Sequence, residues 1–502
     1  MIEASQSVAI AFLMRVCAEA GDGDGAPSAL THISRVFFAG ERVFKLKRAV
    51  IKPYLDFSTA ELRCNACARE LQLNRATAPE LYIAVRRITR QADGLAFDGP
   101  GELVDCVVEM QRFDEDCLLD HMAERGALTL AHMDALAQSI SAMHAKAEAH
   151  AGGAQALARV LGMNETAVQQ SFLSNDPDCD ILLRSMKDLC AHNAPCLDAR
   201  ANAGKVRRCH GDLTLRNIVM LSGVPTPFDC LEFDEDLATI DVLYDLSFPI
   251  MDLWRAGLPA LSNALLNRYL DRRDESEGLS LIPLFIAMRA LIRAHVAASM
   301  ADDKPKSKEE ARSYFQLAQR AIEPCAPALY AIGGLSGSGK STCAAALAPL
   351  IRPMPGARIL SSDRIRKALF GLPATMRLPH DAYSSDISAR VYALMRGYAG
   401  ACLDAGWPVI VDAVFDRRED RAAIQAVADE RGLRFSGFWL QAPMDILQER
   451  VAARVNDPSD ADLAVLAAQA EKLRQAAPAQ LQWRKLDASQ PAPEIARQIA
   501  NS

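Results

Sequence analysis

The chain has no surplus of positive charge, no long apolar run and no regular set of metal-binding pairs. Across 502 residues, 56 Lys and Arg face 63 Asp and Glu, a net charge of −7. That balance argues against a nucleic-acid coat or a protein spread on an anionic membrane, while leaving room for a local basic patch. The most apolar stretch, residues 279–288, is short, contains Pro283 and is followed by Arg289 and Arg293, so it reads as a core helix rather than a membrane span. Ala9-Ile10-Ala11-Phe12-Leu13-Met14 follows Glu3 instead of a basic region and reads as a short amphipathic helix, not a secretory leader. The 13 cysteines are an odd, scattered set with no secretory signal before them, so reduced cytoplasmic thiols are expected. Cys64 and Cys67 form one Cys-x-x-Cys inside a helical pattern, and without a second pair they do not read as a zinc site. There is no internal repeat and no low-complexity tract.

What is present is a long globular chain, 50% apolar and 24% charged, with length for two or three domains. Gly21 to Gly25 is a loop by composition. Residues 33–38 and 42–47 flank Ala39-Gly40-Glu41 as a β-hairpin. Ser58-Thr59-Ala60-Glu61 has the form of a capping box opening a helix toward Arg75. A strand is expected at 104–110 and a helical segment at 117–125. The chain is then mostly helical to 203, and helices resume from 253 to 322. Pro324-Cys325-Ala326-Pro327 reads as a linker. Beyond it, strands at 329–332, 358–361, 408–412 and 434–440 alternate with helices, which predicts a parallel sheet with crossover helices. The domains are therefore drawn at 1–323 and 329–502, with 324–328 between them.

The strongest chemical signal is Gly334-Leu335-Ser336-Gly337-Ser338-Gly339-Lys340-Ser341-Thr342, the phosphate-loop pattern set between an apolar run and a helix former. Its glycines let consecutive backbone N–H groups turn inward on phosphate oxygens, and the new helix adds the positive end of its dipole. Lys340 would reach the β- and γ-phosphates and the Ser341 hydroxyl would hold magnesium. A plain Gly/Ser linker has no reason to end in Gly-Lys-Ser-Thr at that place.

The second signal is Cys209-His210-Gly211-Asp212-Leu213-Thr214-Leu215-Arg216-Asn217, followed by Pro227-Phe228-Asp229. An Asp and an Asn five residues apart on one loop, with a strand-end carboxylate downstream, suit phosphoryl transfer, which needs alignment, metal ions and charge neutralisation. Asp212 would take the proton of an attacking hydroxyl, with Asn217 and Asp229 on magnesium. This segment resembles the aminoglycoside phosphotransferase and choline-kinase branch of the protein-kinase-like fold. The resemblance implies that Lys45, or its competitor Lys47, contacts the α- and β-phosphates and that Glu70 is its ion-pair partner. It further implies that Val108-Glu109-Met110 is the hinge meeting adenine and that Asp245 braces the catalytic loop. His210 reads as a structural loop residue. No Gly-rich loop covers the phosphates, since Ala39-Gly40-Glu41 is a short turn. The acidic run Glu232 to Asp236 reads first as a solvated turn and second as a lure for a cationic amine.

Downstream, Ser361-Ser362-Asp363-Arg364-Ile365-Arg366 ends a strand and resembles the acceptor site of polynucleotide kinase and related P-loop kinases. Asp363 would be the acceptor base and Arg366 the group holding acceptor or phosphate, while Ser362 or Asp363 could also simply cap a helix. Asp412, closing Val409-Ile410-Val411, suits a water-mediated magnesium ligand or an acceptor contact. Arg450 and Arg454, four apart on a helix expected over 444–454, resemble lid arginines sharing one face. Asn456 to Asp460 suits a mobile lid loop. The whole chain resembles a bacterial family that fuses an aminoglycoside-phosphotransferase-like kinase to a P-loop kinase of the polynucleotide-kinase/zeta-toxin type. Thr31-His32-Ile33-Ser34, Tyr54 to Thr59 and Ser459-Asp460-Ala461 are among its signatures here. The implied fold class is α+β kinase-like, then α/β P-loop with a parallel sheet. The implied function is a bifunctional cytoplasmic kinase using ATP and Mg2+ on hydroxyl acceptors: small molecules in the first half, and a metabolite or nucleotide in the second. A nucleotide-sensing regulator and a nucleic-acid-end or toxin-like kinase are the competing readings.

Overall fold

The computed structural model describes residues 6–21, 29–31, 33–52, 55–299, 305–454, 459–475 and 483–502. Residues 22–25 of the expected loop, His32 and Tyr54 of the quoted signatures, and residues 456–458 of the expected lid loop lie outside the described residues. The chain divides into two compact units, residues 1–152 with 201–249, and residues 153–200 with 250–502. The expected two-part fold class is present: an α+β kinase-like architecture, then a parallel α/β P-loop architecture.

The first unit is built on a six-stranded antiparallel sheet, in the order Ala29–Leu30, Ser34–Ala39, Arg42–Lys47, Glu102–Gln111, Tyr82–Gln91 and Gly94–Phe97. Alternation along the strands divides the core in two. Phe37, Phe44, Leu46 and Val107 pack on Phe12 and Leu13 of the helix Ser7–Glu19. On the opposite face Val43, Cys106, Val108 and Met110 pack on Cys67 of the helix Ala60–Asn74. That helix is capped by Thr59, whose hydroxyl accepts from Leu62 N–H, one residue later than the capping box predicts. The strand Tyr82–Gln91 has no clean alternation in sequence, and its register against Glu102–Gln111 shifts twice, which hides the period-2 signal. The expectation of wholly reduced thiols fails at one pair. Cys64 on the helix and Cys106 on the strand beneath it form a disulfide, and the other eleven cysteines are thiols. The two are brought together by helix-on-sheet packing across 42 residues, which spacing does not reveal.

In the second unit five parallel strands run in the order Arg358–Ser361, Val409–Asp412, Ala328–Gly334, Arg434–Gln441 and Arg484–Asp487. The last is not anticipated from sequence, because it is a short edge strand in which only Leu486 is buried. Residues 276–299 are long and apolar enough to cross a membrane by composition, but Leu279, Leu284, Phe285 and Ile286 are buried inside this unit, as a core helix requires. The helix Pro259–Leu270 covers the other sheet edge with amide groups that imitate a neighbouring strand. Asn267 Oδ1 accepts from Ile359 N–H at 2.7 Å, and Asn263 Nδ2 donates to the Ala357 carbonyl at 3.0 Å. Asp271, just past that helix, pairs with Arg358 at 2.7 Å. Capping the Ile359 N–H and the Ala357 carbonyl in this way blunts the edge strand against pairing with another chain.

Candidate active sites

In the first unit, successive residues of one strand face have a shared destination. Lys45 and Lys47 stand two apart on Arg42–Lys47 and therefore project to the same side. Glu70, buried on the helix above, receives both: Lys45 Nζ lies 2.8 Å from Oε1 and Lys47 Nζ 2.6 Å from Oε2. Each lysine has a second carboxylate, Asp229 for Lys45 and Glu232 for Lys47. The result is an alternating chain of charge, Asp229–Lys45–Glu70–Lys47–Glu232. Burial works against every charge in it, but neighbours of opposite sign hold both lysines above their ordinary value and Glu70 and Asp229 below theirs. Glu232 is the exception: burial, reinforced by Glu70, pushes it up despite Lys47. Exposure separates the two lysines. Lys47 is wholly buried, whereas Lys45 keeps 12% and its partner Asp229 38% of side-chain exposure, so Lys45 stands at the open end.

The loop 209–217 meets that open end. Asn217 Nδ2 donates to both the backbone oxygen and Oδ2 of Asp212 at 2.9 Å, leaving Asn217 Oδ1 for a cation. Phe228 N–H donates to Asn217 O at 2.9 Å, which sets Asp229 beside the loop. Asp229 itself has φ +59, a left-handed backbone held by donation of its N–H to Tyr82 Oη and of Cys230 N–H to Asn74 Oδ1. Asp245 is buried and accepts from His210 N–H and Gly211 N–H, with His144 Nε2 at 3.1 Å, so it braces the loop as the resemblance implies. Gly211 has φ +82, and a Cβ there would stand 3.0 Å from that of Leu231. His210 is buried and pushed below its ordinary pKa, with Nε2 2.9 Å from the Phe228 carbonyl, which gives it a structural role.

Two expectations need correction here, and one contact lies outside them. Met110 is still inside the sheet, opposite Val43 on one side and Tyr82 on the other, and the ladder runs on to Gln111, so backbone outside the sheet begins at Arg112 rather than at 108–110. The acidic run is not the freely solvated turn first expected. Glu232 is bound to Lys47, Glu235 to Arg69 and Arg208, and Asp234 caps Leu237 N–H. His144 was not foreseen at all, being an ordinary-looking histidine on the buried face of Leu130–Lys146.

In the second unit the phosphate loop joins Ala328–Gly334 to the helix Lys340–Leu347, with Gly339 as its left-handed N-cap. Gly337 has φ +82, and a Cβ there would meet the Leu447 carbonyl at 2.6 Å. Ser336 and Ser338 are buried, while Ser341 and Thr342 are exposed. Lys340 Nζ donates to Leu335 O at 3.0 Å, and Ser341 Oγ donates to Asp412 Oδ2 at 2.5 Å. Ser341 and Asp412 thus form a pair of hard oxygens suited to magnesium. Asp363 opens the helix Ser362–Leu369, bonded by Ser459 and within the electrostatic reach of Lys340, Arg366 and Arg454. Burial pushes its carboxyl above the ordinary range against those cations. Arg366 is buried over the Tyr383 ring and donates to Ala382 O at 2.7 Å. The shared face of Arg450 and Arg454 is a further correction. The helix Met444–Ala452 ends before Arg454, so Arg454 leaves that face and donates to Ala461 O at 3.2 Å, while Arg450 donates to Ala488 O at 2.8 Å.

Residues 329–476 match the family model described as AAA domain. Over nearly its whole length, the chain is 29% identical over 457 residues to proteins of Mycobacterium tuberculosis and Mycobacterium bovis described as uncharacterised, covering 88% of this chain and 89% of each relative. Among solved structures, it is similar to a choline/ethanolamine kinase family protein from Mesorhizobium loti, at 12% identity over 64% of this chain and 95% of the other, with a TM-score of 0.40. It is also similar to a gluconokinase from Sinorhizobium meliloti, at 22% identity over 35% of this chain and 90% of the other, with a TM-score of 0.26.

Proposed function

We propose that the chain is a bifunctional ATP-dependent phosphotransferase, with a separate ATP–magnesium site in each unit and a hydroxyl acceptor at each. What supports this reading is a similar arrangement on two unrelated frameworks: Lys45 bound to Asp229, which adjoins the Asp212–Asn217 loop, and Lys340 within electrostatic reach of Asp363. In the first unit Lys45, aligned by Glu70, takes the nucleotide phosphates and Asp212 takes the acceptor proton. In the second Lys340 and the loop N–H groups take the phosphates, and Asp363 is the acceptor base with Arg366 and Arg454 around it. In each transfer the acceptor oxygen bonds to the γ-phosphorus, the bond to the β–γ bridging oxygen breaks, the acceptor proton passes to the carboxylate, and ADP leaves. Asn217 and Asp229 in one site, and Ser341 and Asp412 in the other, would hold magnesium, which neutralises and aligns phosphate charge when bound.

The first acceptor is read as a small alcohol or amino-sugar, the second as a nucleotide, sugar or other small metabolite, and the compartment as cytoplasmic. Neither a nucleic-acid end nor a membrane is favoured as a partner. The test is ATP turnover and phosphate acceptance over a panel of small alcohols, sugars, nucleosides and RNA 5′ ends, with Asp212→Ala and Lys340→Ala assayed separately. Each change should abolish transfer to a different acceptor. If neither lowers transfer or hydrolysis, the proposal fails.

A further inference from the structure

The phosphate loop carries a contact that its motif does not predict. Ser336 is 4% exposed, and its backbone N–H donates to Gln469 Oε1 at 2.9 Å. Gln469 lies on the helix Leu463–Gln475, outside the motif by more than a hundred residues. That helix is seated beside the loop: Leu466 joins Leu335, Leu447 and Val451 in one apolar cluster, with Ala470 and Leu473 packed against it. One turn on from Gln469, Lys472 Nζ lies 2.5 Å from Asp416 Oδ2, tying the helix to the segment that follows Asp412. Gln469 is therefore presented to the loop by a fixed scaffold. The amide orientation follows from chemistry, since an N–H donor can be met only by the carbonyl end of the carboxamide.

A buried N–H needs an acceptor at all times. In a phosphate loop such an N–H suits a phosphate oxygen, and here a neutral side-chain oxygen accepts from the same group. The position within the loop identifies which phosphate is concerned. The N–H groups of Lys340 and Ser341 open the helix and suit the inner phosphates, whereas Ser336 lies four residues nearer the strand, toward the terminal one.

We infer that Gln469 is the residue through which this loop tells a nucleoside triphosphate from a diphosphate: it competes for the Ser336 N–H and must yield it to a terminal phosphate, while a diphosphate leaves it in place. This rests on the reading of residues 334–342 as a nucleotide site. Two substitutions pull in opposite directions. Gln469→Ala removes the competitor, and the triphosphate should bind about fivefold tighter, the worth of one net hydrogen bond, with ADP unchanged. Gln469→Glu places a carboxylate on the same N–H, where a charge-assisted bond is stronger and the γ-phosphate is repelled, so the triphosphate should bind more than about tenfold weaker, with ADP much less affected.

The experiment is calorimetric titration of the full chain, in a Lys45→Ala background that suppresses the first site, with ADP and with β,γ-imido-ATP. Hydrogen exchange over residues 463–475 in the wild-type chain accompanies it. Exchange there should rise with the triphosphate analogue and not with ADP. If binding occurs and depends on Lys340, but Gln469→Ala shifts both nucleotides equally or Gln469→Glu fails to weaken the triphosphate, the inference on Gln469 is wrong and the nucleotide site stands. If neither nucleotide binds, or Lys340→Ala leaves binding unchanged, the nucleotide reading fails and the inference falls with it.

Discussion

Substituting the two neighbouring lysines should have opposite consequences, and the charge chain gives the size of the difference. Lys47→Met removes the cation between two buried carboxylates, Glu70 and Glu232, in a place water does not reach. Breaking a buried pair by deleting one partner costs about 3–5 kcal/mol, because the remaining charge is left uncompensated. Glu70 retains Lys45 at 2.8 Å, so Glu232 bears most of the loss. Its folded pKa, already raised with Lys47 in place, must rise further above the unfolded value. The folded variant then binds more protons than the unfolded chain between those two values, so its stability increases as pH falls through that window. The deficit relative to wild type should shrink by about 1.4 kcal/mol per pH unit only between the wild-type and the variant folded values, since below the former both chains are protonated at Glu232. Lys45→Ala, by contrast, leaves Asp229 at the open end, where its carboxylate can be hydrated. It should cost less stability than Lys47→Met and should remove nucleotide-dependent transfer in the first unit. Urea unfolding at several pH values, followed by circular dichroism, measures both variants. The reasoning is refuted if Lys47→Met lies within about 1 kcal/mol of wild type, or if Lys45→Ala is the more destabilised of the two.

The raised carboxyl of Asp363 must be ionised to act as a base, so transfer in the second unit should fall as pH drops through a value above the ordinary carboxylate range, and Asp363→Asn should abolish transfer at every pH. Reduction of the Cys64–Cys106 disulfide, which closes a separation of 42 residues, should lower stability by roughly 4 kcal/mol on the chain-entropy scale, and thiol titration of the unreduced, denatured chain should count eleven. Asp271→Ala should destabilise the second unit by about 3 kcal/mol at neutral pH by stranding Arg358. Because the Asp271 pKa is held below the ordinary value by Arg358, Arg268 and Arg364 against its burial, the wild-type contribution is present above the unfolded carboxylate pKa and lost only as pH falls through the lower folded value.

The parts of this molecule that were legible in advance are those whose chemistry is local. The phosphate loop, the Asp212–Asn217 spacing and the strands of the parallel sheet each declare themselves within a dozen residues, and the hairpin bearing Lys45 follows from alternation. The two lysines also carried a readable signal, since residues two apart on a strand share a face, which points both toward Glu70. What was hidden depends on long-range packing. The disulfide, the His144–Asp245 contact and Glu232 beneath Lys47 join residues that nothing in sequence pairs. Gln469 was invisible because a single polar residue on a helix gives no sign that a loop residue such as Ser336 will lie against it. The errors at Met110 and Arg454 were errors of boundary, a strand running one residue further and a helix stopping two residues sooner, and a residue's direction changes wherever its element ends.

The central claim is that one chain holds two independent nucleotide sites, and counting nucleotides tests it most directly. Equilibrium dialysis of β,γ-imido-ATP with magnesium should give two equivalents bound to the wild-type chain. One equivalent should remain in Lys45→Ala, one in Lys340→Ala, and none in the double variant. A single equivalent in the wild-type chain, or a single substitution that removes all binding, would contradict the account.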